Sequence, residues 1–224
     1  MKNHSPIRPA TPVPSIKTLT LDIKTMNKQD ENFSLTEIDK ILSVKKVLYN
    51  ALFDFNLTIT KLGRNMVQGY FVSGGCIASL LQGEDPKDFD IWFTSQFVAD
   101  PIIKLFTQDP SYKNEVSDVD DKYREVLGKD GKMITENAVT LKNGLQLITK
   151  QYGTTEEIRK TFDYVHCLPV YVPSTDKLFI SPEQYFCCVN KILKVNCAES
   201  VTPYRQDKFA KRGYTYGEQT TVVV

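Results

Sequence analysis

The stretch that decides the fold reads Phe71-Val-Ser-Gly-Gly-Cys-Ile-Ala-Ser-Leu-Leu81, followed by Gly83-Glu-Asp-Pro-Lys-Asp-Phe-Asp-Ile-Trp-Phe93. An apolar run passes through small residues into an apolar helical segment, and a Gly/Pro turn then leads to a strand that opens with two acids. Residues i and i+2 of a strand point to the same face, so Asp88 and Asp90 should project together, roughly 6.5–7 Å apart at Cα. Two carboxylates this close repel each other unless a cation lies between them. Hard divalent cations prefer carboxylate oxygens, so the sequence predicts a metal site here.

This arrangement resembles the nucleotidyltransferase superfamily that includes DNA polymerase β and the CCA-adding enzymes. The resemblance is carried by Gly74-Gly75 and, on the next predicted strand, by Asp88-Phe-Asp90. Downstream, an Asn-Ala strand, a Gln-x-Ile strand, a short helix and a third acid, Asp163, follow in the order of phage- and virus-encoded minimal members. The resemblance covers roughly residues 66–214. It implies an α/β (α+β) fold of the polymerase-β type, with a mixed central sheet flanked by helices.

The same resemblance implies a catalytic site. Asp88 and Asp90 would hold two ions of Mg²⁺ or Mn²⁺, and Asp163 would complete the catalytic ion's site and assist deprotonation of an acceptor hydroxyl. Two such metals about 3.5–4 Å apart stabilise the attacking and leaving oxygens of a phosphoryl transfer. Glycine lets backbone N–H groups approach phosphate closely, so the turn would lie against the triphosphate of a bound NTP. The residues of this turn are Ser73, Gly74 and Gly75.

A second group of functional side chains lies in the C-terminal stretch Tyr204-Arg-Gln-Asp-Lys-Phe-Ala-Lys-Arg-Gly-Tyr214. Its cations stand at helical spacing, so several of them share a face, and interleaved aromatic rings could stack on bases. One interpretation is a contact with the NTP triphosphate or a nucleic-acid backbone. The other interpretations are a solvated basic helix face and a contact between subunits. The predicted nucleotide-binding cations are Arg205, Lys208, Lys211 and Arg212.

Composition narrows the class of protein. The 224 residues carry a net charge of +1, so any nucleic-acid contact must come from a local patch. We expect no membrane partner, because no apolar run approaches the ~20 residues of a membrane helix. An apolar signal-peptide core is also missing near the N-terminus, which predicts a cytoplasmic protein (host cytoplasm if phage-encoded) or a virion component. The five cysteines form neither a disulfide framework nor a zinc spacing, which predicts buried free thiols.

Two further side chains have open interpretations. Trp92 shares the strand face of Asp88 and Asp90, so it either lines the nucleotide site or fills the core beneath the acids. His166 follows Asp163 in an apolar, β-prone run. Alternation along a strand would place it on the face opposite Asp163, so a core or surface histidine is favoured over a general base.

The chain divides into a flexible, proline-containing arm over residues 1–18, a nucleotidyltransferase-like domain over 19–200 and a basic C-terminal segment and tail over 201–224. Ser34 and Glu37 form a capping-box pattern at the start of the clearest helix. Asp100-Pro101 is a helix start signal, and Asn143-Gly144 predicts a hairpin turn. The predicted helices cover residues 34–56, 76–81, 97–106, 155–160 and 181–195. The predicted strands cover 68–73, 89–93, 132–136, 138–141, 145–149 and 168–172, with a further strand from Asp163.

Two functions from different classes follow. In the first, the protein is a metal-dependent nucleotidyltransferase that moves a nucleoside monophosphate from an NTP to an unidentified acceptor hydroxyl, on RNA or another molecule. In the second, it is a non-catalytic phage or viral module that keeps the fold. That module would contact copies of itself or phage structural proteins through the arm and the tail Thr220-Thr-Val-Val-Val224. The acids favour the first function. The second is favoured by the short chain after Asp163, which leaves little room for a domain that recognises the acceptor.

Overall fold

A computed structural model describes residues 33–119 and 132–217 of the chain. The α-helices within these ranges are α1 (Leu35–Ile59), α2 (Gly75–Gln82), α3 (Gln96–Gln108), α4 (Thr155–Lys160), α5 (Pro182–Val189) and α6 (Pro203–Ala210). The strands are β1 (Tyr70–Ser73), β2 (Phe89–Phe93), β3 (Ala138–Thr140), β4 (Leu145–Ile148), β5 (Val170–Val172), β6 (Lys177–Phe179), β7 (Ile192–Leu193) and β8 (Thr215–Tyr216).

Six strands form one mixed sheet in the order β3-β4-β2-β1-β5-β6. β2 and β4 run parallel, whereas the other neighbouring pairs are antiparallel. β7 and β8 form a separate parallel pair. The mixed sheet with helices packed against it confirms the predicted fold class. The strand–turn–helix–strand unit predicted from residues 68–93 is present, because β1, α2 and β2 follow one another there.

Helix α1 begins where the capping box predicts. The Ser34 hydroxyl accepts a hydrogen bond from the Glu37 N–H, and the Glu37 carboxylate accepts one from the Ser34 N–H at 2.8 Å. The buried side chains recur every three or four residues, so one stripe of the helix covers the sheet. These side chains are Ile41, Val44, Leu48, Leu52, Phe55 and Ile59.

The two faces of the sheet bury different clusters. On β2, Ile91 and Phe93 point into the larger cluster, beneath α1, α2, α3 and α5. Trp92 points to the other face, into a second cluster that also contains Ile158 of α4 and Phe209 of α6. Asp90 of β2 lies on this second face by the same alternation, and Asp88 directly precedes the strand. One face of the sheet therefore packs against the larger core, and the other face carries the polar groups.

Two of the predicted strands are wrong. The run from Asp163 forms a single bridge between Tyr164 and Val195, and a 3₁₀ turn over Val165–Cys167 follows. The Asp163 carbonyl accepts the Asn196 N–H at 2.7 Å, so this segment is bonded to a distant loop instead of a neighbouring strand. Residues 132–136 form only isolated bridges, among them Ile134 with Val139.

Two helix boundaries also differ from the prediction. Helix α3 starts after Ser95, whose hydroxyl accepts the Val98 N–H at 3.4 Å, and Pro101 lies inside the helix. The cap therefore outweighs the Pro signal at residue 101. The helix predicted to reach residue 195 ends at Val189. Lys191 has φ 53°, a left-handed conformation that stops the helix and turns the chain into β7.

Some predictions lie outside the described residues. They are the flexible arm at 1–18, the end of the acidic run beyond residue 119 and the tail at 220–224. Part of the C-terminal segment is described, and it packs on the domain through buried Phe209 and Tyr214. In the described ranges, no helix combines the length and apolarity that crossing a membrane requires.

Candidate nucleotide and metal site

Gly74 lies at the point where β1 turns into α2, directly against the carboxylate of Asp90. Its φ of 116° is a conformation that L side chains rarely adopt. A Cβ at this position would stand 2.8 Å from Asp90 Oδ2. The Gly74 N–H donates to the Cys167 carbonyl at 3.1 Å, which holds the turn to the segment before β5. Glycine is therefore required here by backbone conformation and by close approach together.

Ser73, the first residue of the predicted phosphate-binding turn, has a buried side chain. Its hydroxyl lies 2.8 Å from the Pro169 carbonyl and 3.2 Å from that of Cys167, and it donates toward these acceptors. Its own carbonyl accepts the Trp92 indole N–H at 3.3 Å. Ser73 thus joins β1 to its neighbours, whereas Gly74 and Gly75 line the cleft described next.

A cleft of about 810 Å³ opens above the start of β2. Asp88 and Asp90 both lie on its wall, as the strand alternation predicts. Burial, with a smaller contribution from the nearby charge of Asp88, raises the pKa of Asp90 to about 7. The cations of Lys208, Arg205 and Lys150 act in the opposite direction. A partly protonated acid beside a second acid indicates a pair that a bound cation would stabilise.

Asp163, the third predicted acid, lies on the same cleft but its carboxylate already has partners. Arg205 Nε donates to Oδ2 at 2.6 Å, and Arg205 Nη2 donates to Oδ1 at 3.1 Å. The Tyr164 N–H also donates to Oδ1, at 3.0 Å. The Asp163 side chain is only 3% exposed. The carboxylate is therefore compensated in full by a bidentate guanidinium and a backbone N–H.

The acids fit a divalent cation in part. Asp88 and Asp90 present carboxylates from one edge of the cleft, which suits Mg²⁺ or Mn²⁺. Asp163 does not fit such an ion while Arg205 holds both of its oxygens. Consistent with this, the described residues contain no group of three His, Cys, Asp or Glu side chains close enough to hold a metal ion.

The basic C-terminal segment also lines the cleft. Thr202 caps α6, and buried Phe209 anchors the helix on the second core cluster. Arg205, Lys208 and Arg212 line the cleft. Their spacing of three and four residues places them on one side of the helix and of the turn that follows it. Lys211 does not line the cleft. It is exposed and pairs with Asp207 at 2.6 Å.

A family match accompanies this geometry. Residues 26–190 match the model of a family described as Gad2: Gabija anti-defense 2 family protein. The chain belongs to the Gabija anti-defense 2 family. No curated protein matches the sequence.

Solved structures similar to this Gad2-family chain include CCA-adding enzymes and a tRNA-processing enzyme. One is a CCA-adding enzyme of Thermotoga maritima complexed with tRNA, with 17% identity, a TM-score of 0.46 and coverage of 72% of this chain and 40% of the enzyme. Another is a CCA-adding enzyme with CTP, with 17% identity, a TM-score of 0.45 and coverage of 90% and 42%. A third is a tRNA-processing enzyme with CTP, with 16% identity, a TM-score of 0.48 and coverage of 71% and 43%. The chain thus spans less than half of each, and scores this low carry no argument about activity.

In the Gad2-family chain, Arg212 is fixed beside the glycine turn by residues that the sequence patterns did not single out. Its Nη2 donates to Ser79 Oγ at 2.8 Å and lies 3.5 Å from Glu84. Lys191 pairs with Glu84 at 2.7 Å and donates to the Arg212 carbonyl at 3.0 Å. A Cβ on Gly75 would stand 3.9 Å from Arg212 Nη1. These contacts join residues far apart in sequence, and no local spacing signals them.

The structure shows where Trp92 and His166 lie, which the sequence left open. Trp92 lines the cleft and also packs in the core beneath the acids, where its ring centroid lies 5.3 Å from that of Phe162. His166 is fully buried among the rings of Tyr164, Phe209 and Tyr214. Burial, with smaller contributions from the charges of Arg205 and Arg212, lowers the pKa of His166 to about 3. His166 is therefore a neutral core histidine.

Proposed function

We propose that this Gad2-family protein is a metal-dependent nucleotidyltransferase that binds an NTP in the cleft and moves its nucleoside monophosphate to an acceptor hydroxyl. One observation carries the proposal. A glycine turn pressed against Asp90 lies in the same cleft as a wall of cations on α6 and the turn after it. Carboxylates and cations that line one cleft suit a metal–polyphosphate complex, in which both signs of charge are present.

Each group has a role in this proposal. Asp88 and Asp90 would hold the divalent ion, which when bound supplies charge stabilisation to the phosphoryl group. Lys208 and Arg212 would bind the phosphate oxygens. Arg212 is the more restrained of the two, because Ser79 and Glu84 fix its guanidinium before any ligand arrives. Such preorganisation lowers the entropic cost of binding.

The family description supplies the biological setting of the proposal. We propose that nucleotidyl transfer by this protein counteracts Gabija defence, as the family's description indicates. The acceptor stays open between RNA, another nucleotide, a protein and a small molecule. This chain spans about two fifths of the CCA-adding enzymes it resembles, and we leave recognition of the acceptor unassigned.

A second candidate function is favoured by one contact. Arg205 holds the carboxylate of Asp163 with two hydrogen bonds, so the third acid is engaged within the protein. A module that binds a nucleotide or a partner without transfer would tolerate this pairing permanently. In that case the cleft would bind ligands, and no nucleoside monophosphate would be transferred.

Thermal unfolding with Mn²⁺ and each of the four NTPs tests the proposed site. A ligand at about 100 times its Kd stabilises a protein by about 2.7 kcal/mol, which raises Tm by roughly 5–11 °C for a chain of this size. We expect one or more NTPs to raise Tm only with metal present, and Asp90→Asn to abolish the shift. Lys211→Gln is the matched control, because Lys211 lies outside the cleft. If no NTP shifts Tm, the proposed function is wrong. If NTPs bind but no acceptor is modified, the binding module is favoured.

A further inference from the structure

A second cavity lies over β5 and β6, at the edge of the sheet. It has a volume of about 230 Å³ and shares no lining residue with the cleft. Val170 of β5 belongs to the same core cluster as Trp92, so the cavity lies on the face of the sheet that also carries the cleft. Phe179 of β6 lies opposite Val170 in the antiparallel register. Residues of α4 and of the start of α5 complete the lining. The proposed function makes no use of this cavity.

Arg159 of α4 is the cation that lines the cavity. Its Nε is buried and has no hydrogen-bond partner. Among the described residues, no carboxylate forms a salt bridge with it. Burial lowers the pKa of Arg159, and the charge of Glu156 acts in the opposite direction. A guanidinium that loses hydration without gaining a partner is costly, so an anion in the cavity would stabilise it.

Gln184 of α5 adds a second donor to the cavity. The residue is only 8% exposed. Its Oε1 accepts the Ser181 N–H at 3.1 Å, which is part of the cap of α5. Within the described residues this is the one hydrogen bond of the side chain, so the amide NH₂ group is free to donate. Arg159 and Gln184 therefore line one cavity, and each has N–H groups that need an acceptor.

The charge, size and apolar lining of the cavity select the class of ligand. One cation, Arg159, and one acid, Glu156, line it, so a phosphate dianion would be poorly compensated and a carboxylate monoanion is favoured. A guanidinium also matches the planar carboxylate group with two parallel hydrogen bonds. The volume is below the ~300–1,000 Å³ of sites for drug-sized ligands, so the ligand is small. The apolar part of the lining consists of Val170, Val172, Phe179 and Ile180.

We propose that this cavity binds a small monocarboxylate with a branched apolar body. The Arg159 guanidinium and the Gln184 amide donate to the carboxylate, and the apolar side chains of β5 and β6 pack on the body. Phe179 is 41% exposed in the free protein, so a ligand beside it would also remove apolar surface from water. The site is separate from the cleft, and the inference does not rest on the proposed function.

Isovalerate, a branched monocarboxylate, is the probe, and saturation-transfer NMR on the full chain measures its Kd. A ligand of this size should bind in the millimolar range. We expect Arg159→Gln to weaken binding by about tenfold or more, because a hydrogen bond to a charged group contributes that much. Lys160→Gln is the matched control, since Lys160 is the next residue of α4, is exposed and does not line the cavity. This variant should bind isovalerate as the wild type does.

Two further probes test the two halves of the ligand. Isovaleramide lacks the charge and acetate lacks the branched body, so each should bind about tenfold more weakly than isovalerate. Phe179→Ser removes apolar lining but no charge. It should weaken the binding of isovalerate and leave that of acetate unchanged. This variant also decides the matter if Arg159→Gln does not fold, because an unchanged affinity for isovalerate would then overturn the inference.

The remaining outcomes are equally decisive. Equal affinities for isovalerate and isovaleramide would show that the charge has no role, and equal weakening by Arg159→Gln and Lys160→Gln would show that Arg159 has none. Inorganic phosphate that displaced isovalerate at lower concentration would refute a carboxylate site. Absence of isovalerate binding at tens of millimolar would also overturn the inference. Unchanged isovalerate binding in Asp90→Asn would support a site that is independent of the cleft.

Discussion

At the scale of single residues, the site depends on the mutual fit of Gly74 and Asp90. The glycine has a conformation that other residues avoid, and its missing side chain leaves room for the Asp90 carboxylate. The close approach of the Gly74 backbone helps to bury the Asp90 carboxylate, and this burial raises the pKa of Asp90. A single backbone position therefore controls both the shape of the turn and the environment of one proposed metal ligand.

Substituting Gly74 tests this fit. In Gly74→Ala, the new Cβ would meet Asp90 Oδ2 at 2.8 Å, and the residue would have to keep a φ of 116°. We expect a loss of about 1–3 kcal/mol in the free energy of unfolding from backbone strain, with Mn²⁺ affinity reduced at least tenfold as Asp90 is displaced. Chemical denaturation and Mn²⁺ titration measure the two effects.

Gly63→Ala is the control for strain alone. Gly63 has φ 146°, and a Cβ there would meet nothing within 4 Å. It should lose stability to a similar extent while keeping its Mn²⁺ affinity. If Gly74→Ala bound Mn²⁺ as well as Gly63→Ala does, the close approach to Asp90 would have no role in the site.

At the scale of elements, α6 contributes the cationic wall even though its own sequence is mostly polar. The helix has eight residues, and an isolated helix of this length is marginal in water. It is held to the domain by Phe209, which is buried against Tyr164, His166 and Tyr214. The aromatic cluster therefore positions the cations of α6, and the neutral core histidine is part of that support.

Removing the Phe209 ring should loosen α6 and the cations that it carries. Phe209→Ala leaves a cavity in the aromatic cluster, and we expect a loss of about 3–5 kcal/mol in unfolding free energy. Because α6 would then pack less firmly, NTP-dependent thermal stabilisation should fall as well. Tyr204→Ala, on the same helix, is the control, since Tyr204 is 75% exposed. Equal losses in the two variants would show that Phe209 has no special role in holding the helix.

At the scale of the whole molecule, the acids, glycines and cations proposed for the site come from three stretches far apart in the chain, and residues between 135 and 150 also line the cleft. The three stretches are the turn and strand at 74–90, the segment around Asp163, and residues 205–212. The last of these lies beyond the residues 26–190 that match the family model. The family match therefore does not cover the cations at 205–212.

Phage infection tests the proposed anti-defence function in the whole protein. We expect expression of the wild type to restore plaque formation on cells that carry Gabija defence, by at least about tenfold. The double variant Asp88→Asn, Asp90→Asn should lose this effect at equal protein levels, because the metal would lose both carboxylates. Lys211→Gln should behave as the wild type, since its charge lies outside the cleft. A fully active double variant would exclude metal-dependent transfer as the basis of the effect.

The sequence by itself determined the local elements and the pairing of the first two acids. Periodicity and capping chemistry depend on neighbours within a few residues, so Ser34 with Glu37 predicted the start of α1. The spacing of Asp88 and Asp90 likewise predicted that both acids project to one side, and both line the cleft. The cation spacing of the C-terminal segment correctly predicted a helix, although not which cation faces away from the cleft.

Only the tertiary structure decided where the third acid stands and what it touches. Asp163 was expected in a strand, but hydrogen bonds from Asn196 and the 3₁₀ turn after Tyr164 replaced strand pairing. Its partner Arg205 lies 42 residues away, and Glu84 lies 107 residues from Lys191. Contacts over such separations arise from packing of the whole chain, and local propensity does not encode them. The physical reason is that a buried carboxylate takes whichever cation the fold brings beside it.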